Sequence, residues 1–502
     1  MHTKVIGKRI LAGLLSLQVL IAGAPATFAA AEAEDADGIF TADGLTYKVL
    51  SEPGEGDGTV QVGDGKSVVQ VSGSVKIPPT VTNGEKTYDV VGIGDRAFMR
   101  QTDLTSVTLP DSVTDIGKQS FFGTGLEKFK MNDSVATIGE ECFRTADKLE
   151  TVTLSENLSE IPKDAFDGCT ALRKIEIPEG VSDVEEAAFL SCTSLQKVSL
   201  PASLEAIGER AFWQDEALNT LLIAEDSQLE EVGDGAFQWC SSLEAIDLPA
   251  DLKKIGSSAF SDCGSLKSVG IETDTESQLE SLGESAFRST QLSDFYFPDT
   301  LTEIGERPFG SCAKLKSLTV GENNSLLKSV NGVLFNKDGN ELLVYPPEKE
   351  GRAYKIPQGV TKIAKYAFWG ASDLQEVTMS DGVLELGEFV FQDASSLKSV
   401  IFADSVTDIG RLSFYNNETL ENVRLPDSLE ELAGNTFYNC ESLKEIRIPK
   451  NISKMAGSVF GSCPNLVSIK VLSDKLATVE DGAFNGTSED LKISVLNDSI
   501  KS

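Results

Sequence analysis

Phenylalanine returns in one register along most of this chain. It stands at Phe98, Phe121, Phe143, Phe166, Phe189, Phe212, Phe237, Phe260, Phe287 and Phe309, and again at Phe368, Phe391, Phe414, Phe437, Phe460 and Phe484. Most steps are 23 residues, with 22, 24, 25 and 27 where a coil loses a residue or lengthens a loop. A tandem unit of this length lets a chain grow without enlarging one core. About 470 residues beyond the first thirty or so therefore need not divide into several globular domains. No single unit can cover its own apolar side, so the units must stack.

Within the unit LRKIEIPEGVSDVEEAAFLSCTS, Leu172 to Ser194, Ile175 and Ile177 alternate with polar residues, the period-two sign of a short strand. Pro178 ends that strand because it has no N–H for a ladder. Val184 and the Ala-Phe pair return along the other side of the coil. Gly208 and its copies Gly117, Gly139, Gly256 and Gly410 are expected in a tight bend that tolerates no side chain.

The pattern L-x-x-[IV]-x-[IL]-P followed by [IV]-G-x-x-A-F-x-x-C resembles the BspA-type leucine-rich repeats of bacterial surface proteins. Phe166–Cys169–Leu172 and Phe437–Cys440–Leu443 carry its most characteristic part, and the resemblance runs from about Val90 to Phe484. It implies a β-rich leucine-rich-repeat solenoid, curved and right-handed, with about 16 coils of roughly 23 residues behind a β-rich N-terminal cap. It also implies a secreted or cell-surface protein associated with adhesion and with binding of host or matrix proteins.

The expected organisation follows from the departures from the unit. Residues 1–31 read as a secretory signal peptide, with Lys4, Lys8 and Arg9 before a short apolar run and small residues near Ala29. Residues 38–91 hold alternating segments such as GLTYKVL and KTYDVVGI, a cap for the first coil's apolar end and open edge. Repeats fill 92–320 and 358–487. Between them, 321–357 is a variant repeat in which VLF and ELLVY flank NKDGN, a hairpin signal. Residues 488–502 close the last coil.

Composition removes many activities. His2 is the only histidine, and it lies inside the signal segment. Ser-His-Asp and Cys-His catalysis and imidazole-bearing zinc sites are thereby excluded from the mature chain. Net charge is −34, or about −37 once the three N-terminal cations are removed, which opposes binding to nucleic-acid phosphates and anionic membranes. No cofactor is called for, no later segment is long enough to span a membrane, and a monomer is expected. The run Ile271 to Glu280 is acidic enough to hold calcium weakly but lacks the spacing of a calcium loop. Glu140-Glu141, Glu185-Glu186 and Glu230-Glu231 read as solvated turns.

Seven of the eight cysteines stand three residues after the repeat aromatic: Cys169, Cys192, Cys240, Cys263, Cys312, Cys440 and Cys463. Cys142 instead precedes Phe143. Other coils place Thr124, Ala146, Ala371, Ala394, Asn417 and Thr487 in that slot. Small size is what they share, so buried packing is expected. Bridges between adjacent coils, such as Cys169 to Cys192, are the rival reading in an exported chain.

The outward strand positions are the better place to seek a site. Over the last coils that column reads Thr378, Ile401, Arg424, Arg447 and Lys470, with Lys398, Lys444 and Glu445 nearby. A basic stripe in an acidic protein suits an acidic ligand, and Tyr296 between Phe295 and Phe297 is a second candidate contact. The function expected is binding of an extracellular protein or glycan, host matrix included, on a concave strand-lined face, without enzymatic activity. A structural spacer of the cell envelope and a carboxylate-dependent hydrolase are the alternatives.

Overall fold

The computed structural model describes residues 37–54, 56–271 and 277–495. The expected signal peptide, half of the acidic 271–280 run and the last seven residues fall outside that range. Among the described residues there is no helix; short strands and turns coil about one axis.

Each regular coil has three walls. The first is the strand read from the alternating apolar pair, as in Lys174–Glu176 and Lys197–Leu200, which pair parallel with Ile175 beside Val198. Ile175 and Ile177 point inward and are buried, whereas Lys174 and Glu176 face out. The second wall is a two-residue strand, Asp183–Val184 and its copies, running in one parallel ladder from Glu160–Ile161 to Glu303–Ile304. The third carries the aromatic, which lies wholly inside. From Phe98 to Phe309 the rings stack coil on coil with centroids 5.1–5.8 Å apart and planes within 13°. Stacking of this kind adds about 0.5–1.5 kcal/mol per pair beyond area burial.

The aromatic wall is joined by main-chain bonds the strand pattern does not announce. Phe166 N–H donates to the Ala188 carbonyl at 2.7 Å, and Asp164 and Gly168 donate to Glu186 and Leu190 at 3.0 and 2.8 Å. The residues two before and two after the phenylalanine have positive φ in every one of the sixteen phenylalanine coils, and most are not glycine, for example Glu141 (56°) and Thr145 (55°). That conformation turns three alternate amides toward the next coil. An L-residue there carries about 1–2 kcal/mol of strain, which the inter-coil bonds offset.

The conserved spacing of glycine has a different cause from the bend expected. Gly208 does not take positive φ. A Cβ there would stand 2.7 Å from the Glu185 carbonyl carbon and the Glu186 nitrogen of the preceding coil. Gly117, Gly139, Gly256 and Gly410 meet the preceding backbone at 2.4–2.6 Å in the same way. Close approach of two coils, not a left-handed turn, selects glycine at this position.

The cap begins with Ile39–Ala42, Leu45–Ser51 and Gly58–Val62, paired antiparallel in that order. Lys86–Ile93 pairs parallel with Gly58–Val62 and then with Asp115–Ile116, so the cap sheet merges into the short-strand wall. At the far end Lys492–Val495 pairs parallel with Ser468–Val471 and covers the last coil.

The variant repeat contains the expected hairpin, Val333–Asn336 against Glu341–Val344, and a further strand, Leu327–Val330, antiparallel to the first. It also supplies an aromatic that the register of phenylalanines skipped. Tyr345 N–H donates to Ala367 at 2.7 Å, as Phe368 does to Val390 at 2.8 Å one coil on, and its ring stacks on Phe368 at 4.9 Å. The solenoid accordingly has about seventeen turns.

Pairing also lapses in both strand walls between the coils of Phe414 and Phe437. Neither Asp408–Ile409 with Glu431–Leu432 nor Asn422–Arg424 with Glu445–Ile448 forms a ladder. The aromatic wall still bridges the gap, with Phe414 N–H on Thr436 at 2.8 Å.

Candidate functional site

The cysteines are not that site. All eight are free thiols and buried, and burial pushes Cys142 up to about 12 and Cys312 up to about 11, so no thiolate nucleophile exists near neutral pH. Their slot has a specific chemistry nonetheless. Cys169, Cys192, Cys240, Cys263, Cys312, Cys440 and Cys463 each donate Sγ–H to the carbonyl of the phenylalanine one coil earlier, at 3.0–3.3 Å. Asn417 does the same to Phe391 at 2.7 Å. The slot selects a small donor as well as a small volume. It also holds Asp215, a wholly buried carboxyl with no hydrogen-bond partner, whose ionisation burial pushes well above the usual range. Inspection of the slot in the coil of Phe212 would have revealed it.

The glutamate pairs are surface features. Glu230 and Glu231 meet Lys253 and Lys254 of the next coil at 2.7 and 2.8 Å, and Glu186 meets Lys163 at 2.5 Å. Glu140 pairs with Lys118. Such exposed pairs contribute about 0–1 kcal/mol each. Among the described residues no cluster of acidic or cysteine side chains is arranged to hold a metal ion.

The outward column of the long-strand wall is where side chains accumulate in register. Thr378, Ile401 and Arg424 lie side by side on three paired strands, and Arg447 lies beside Lys470 on the next pair. The lapse in pairing falls between Arg424 and Arg447, so the stripe consists of two segments. Arg424, Arg447, Lys470, Lys398 and Lys444 are all exposed and form no ion pair among the described residues. Glu445 is exposed on the same strand as Arg447. Ile401, 50 % exposed, places an apolar surface next to Arg424.

Tyr296 sits in the same column opposite Thr319 but is only half-buried between Phe295 and Phe297, not freely exposed. A Cβ on Gly321 would come within 3.0 Å of its hydroxyl. The last-coil column also hid a second basic group on this wall. Lys128 and Lys130 share one strand, and Lys174 and Lys197 are register partners, all exposed. Lys130 continues the column of Arg447 and Lys470, whereas Lys128, Lys174 and Lys197 belong to the column two positions earlier that holds Glu376 and Glu445.

The comparisons agree with this geometry. The bacterial repeat family described as BspA type leucine rich repeat region matches residues 91–219, 218–337 and 361–492. The solved structure of the pneumococcal vaccine antigen PcpA is similar at 24 % identity, covering 93 % of this chain and 95 % of that one, with a TM-score of 0.55. A leucine-rich repeat protein from Bacteroides ovatus is similar at 26 % identity over 91 % of this chain and 99 % of its own, with a TM-score of 0.56. Among curated proteins none matches. With the repeat family covering most of the chain and the stacked-coil architecture beneath it, this protein belongs to the BspA-type leucine-rich repeat family.

Proposed function

We propose that this protein works outside the cell, secreted or displayed on its surface, by capturing a protein or glycan on the long-strand wall. The observation that carries the reading is the exposed, ion-pair-free run of Arg424, Arg447 and Lys470 in a chain of net charge −34. Several cations elsewhere, such as Lys163, Lys253 and Lys254, meet carboxylates of an adjoining coil, whereas these three have none. Ile401 and Tyr296 add apolar contact to the same wall, the mixture that protein interfaces favour at their centres. Membership of a repeat family and likeness to a pneumococcal antigen support display and recognition over catalysis. Extended repeat surfaces characteristically bind in this way.

The test is capture by the mature protein of host matrix proteins and acidic glycans on a biosensor. Replacement of Arg424, Arg447 and Lys470 together by Ser is expected to lower capture at least tenfold with an unchanged melting temperature, and to flatten its salt dependence. Unchanged capture by the triple variant overturns the assignment to this wall.

A further inference from the structure

A cavity of about 510 Å³ opens where the two regular halves of the solenoid meet, on the side of the short-strand wall. Its origin is topological. The short-strand ladder ends at Glu303–Ile304, and the next ladder reaches the regular coils only where Glu341–Val344 pairs with Lys362–Ile363. The variant repeat spends its first strands on its own hairpin, so one wall between the halves has no partner. The volume falls in the range of small-molecule sites.

We propose that this cavity binds a neutral saccharide unit. Leu334, Leu343 and Pro308 make its lining largely apolar, and Trp369 joins them half-buried, with its ring stacked on no other ring among the described residues. An indole left open beside a cavity suits the C–H face of a pyranose. Polar recognition comes from Arg307. Its guanidinium lies 3.7 Å over the Tyr366 ring, which is itself stacked on Phe389 at 4.7 Å, so the group is held in one orientation. Its Nε is buried and has no hydrogen-bond partner. The two lysines of the cavity are by contrast paired, Lys362 with Glu341 at 3.4 Å and Lys365 with Glu388 at 3.6 Å. Arg307 lines the cavity and forms no ion pair among the described residues, so its guanidinium is left to donate to a ligand oxygen.

Charge decides the class of that oxygen. Four carboxylates line the cavity, those of Glu306, Glu341, Glu385 and Glu388, against three cations, in a chain of net charge −34. An anion is disfavoured there. Glu306 and Glu385 are exposed and form no ion pair among the described residues, so they accept from hydroxyl donors. An apolar face, hydroxyl donors and a neutral oxygen acceptor together describe a sugar ring. The site lies on a different wall from Arg424, Arg447 and Lys470 and is independent of them.

The test uses the mature chain on an array of neutral oligosaccharides ending in glucose, galactose, mannose or N-acetylglucosamine, with acidic oligosaccharides and peptides alongside. Binding to at least one neutral terminus is expected, with at least a tenfold loss in Trp369→Ala and Arg307→Met. The exposed Glu306→Gln, which leaves the packing intact, is expected to weaken binding severalfold, and the Arg424, Arg447 and Lys470 triple replacement to leave it unchanged. Binding to acidic glycans or peptides alone, binding untouched by Glu306→Gln and Trp369→Ala, or no binding to neutral sugars overturns the proposal.

Discussion

The thiol of Cys192 donates to the carbonyl oxygen of Phe166 at 3.2 Å, across one coil. Neighbouring cysteines of the column point the same way, each toward the carbonyl of the preceding coil, and none is bonded to another. The native protein is therefore expected to show no thiol accessible to an aromatic disulfide reagent and eight after denaturation. An intact mass unchanged by reductant completes the check. Cys192→Ala removes the donor and some volume, and is expected to cost about 1–2 kcal/mol.

Asp215 occupies that slot between Cys192 and Cys240, and no other charged side chain shares the column there. The folded state favours its neutral form, because the carboxyl is wholly buried. Its pKa is raised on folding, so its full contribution is present below the unfolded value of about 3.9 and is lost as pH rises. Asp215→Asn keeps a donor at every pH. The variant is expected to match the parent at pH 4 and to exceed it at pH 7. Denaturation at the two pH values measures this, and a difference independent of pH would refute it.

Gly208 and Gly264 offer a paired test of coil spacing. A Cβ at Gly208 meets backbone at 2.7 Å, whereas one at Gly264 meets nothing within 4 Å. Gly208→Ala must push two coils apart and is expected to lower the melting temperature by several degrees. Gly264→Ala is expected to change it little or to raise it slightly, since alanine restricts the unfolded chain.

Tyr345 opens the aromatic column of the second half of the solenoid, stacked on Phe368. Tyr345→Ala is expected to cost about 3–5 kcal/mol locally and to split thermal unfolding into two transitions. Tyr345→Phe keeps the stacking and is expected to retain one. Calorimetry distinguishes the two outcomes.

Hydrogen exchange should find the gap between Asp408–Ile409 and Glu431–Leu432. Thr407, Asp408 and Gly410 donate to the coil before them at 2.9, 3.2 and 2.9 Å, but Glu430, Glu431 and Ala433 have no equivalent bonds. Faster exchange is expected at the latter three amides. Equal protection in both coils would show that the gap closes in solution.

The repeat, its strand and the outward column were legible because each depends on residues in fixed register. Arg447 and Lys470 are 23 apart in the chain, and parallel stacking of equal coils makes them neighbours. Tyr345 was not legible, since the hairpin displaces it from the phenylalanine spacing and only its main-chain bond to Ala367 restores its place. Nor was the cavity beside Arg307, which arises where two ladders fail to meet.

By itself the sequence determined a stack of β-rich coils and their inward apolar faces, because periodicity acts locally and repeats. The tertiary structure alone decided why glycine recurs, why cysteine and Asp215 share a slot, and where the stack is interrupted. Each of these depends on what the neighbouring coil places against a residue: the Glu185 backbone against Gly208, the Phe166 carbonyl against Cys192, and an unpaired wall beside Arg307.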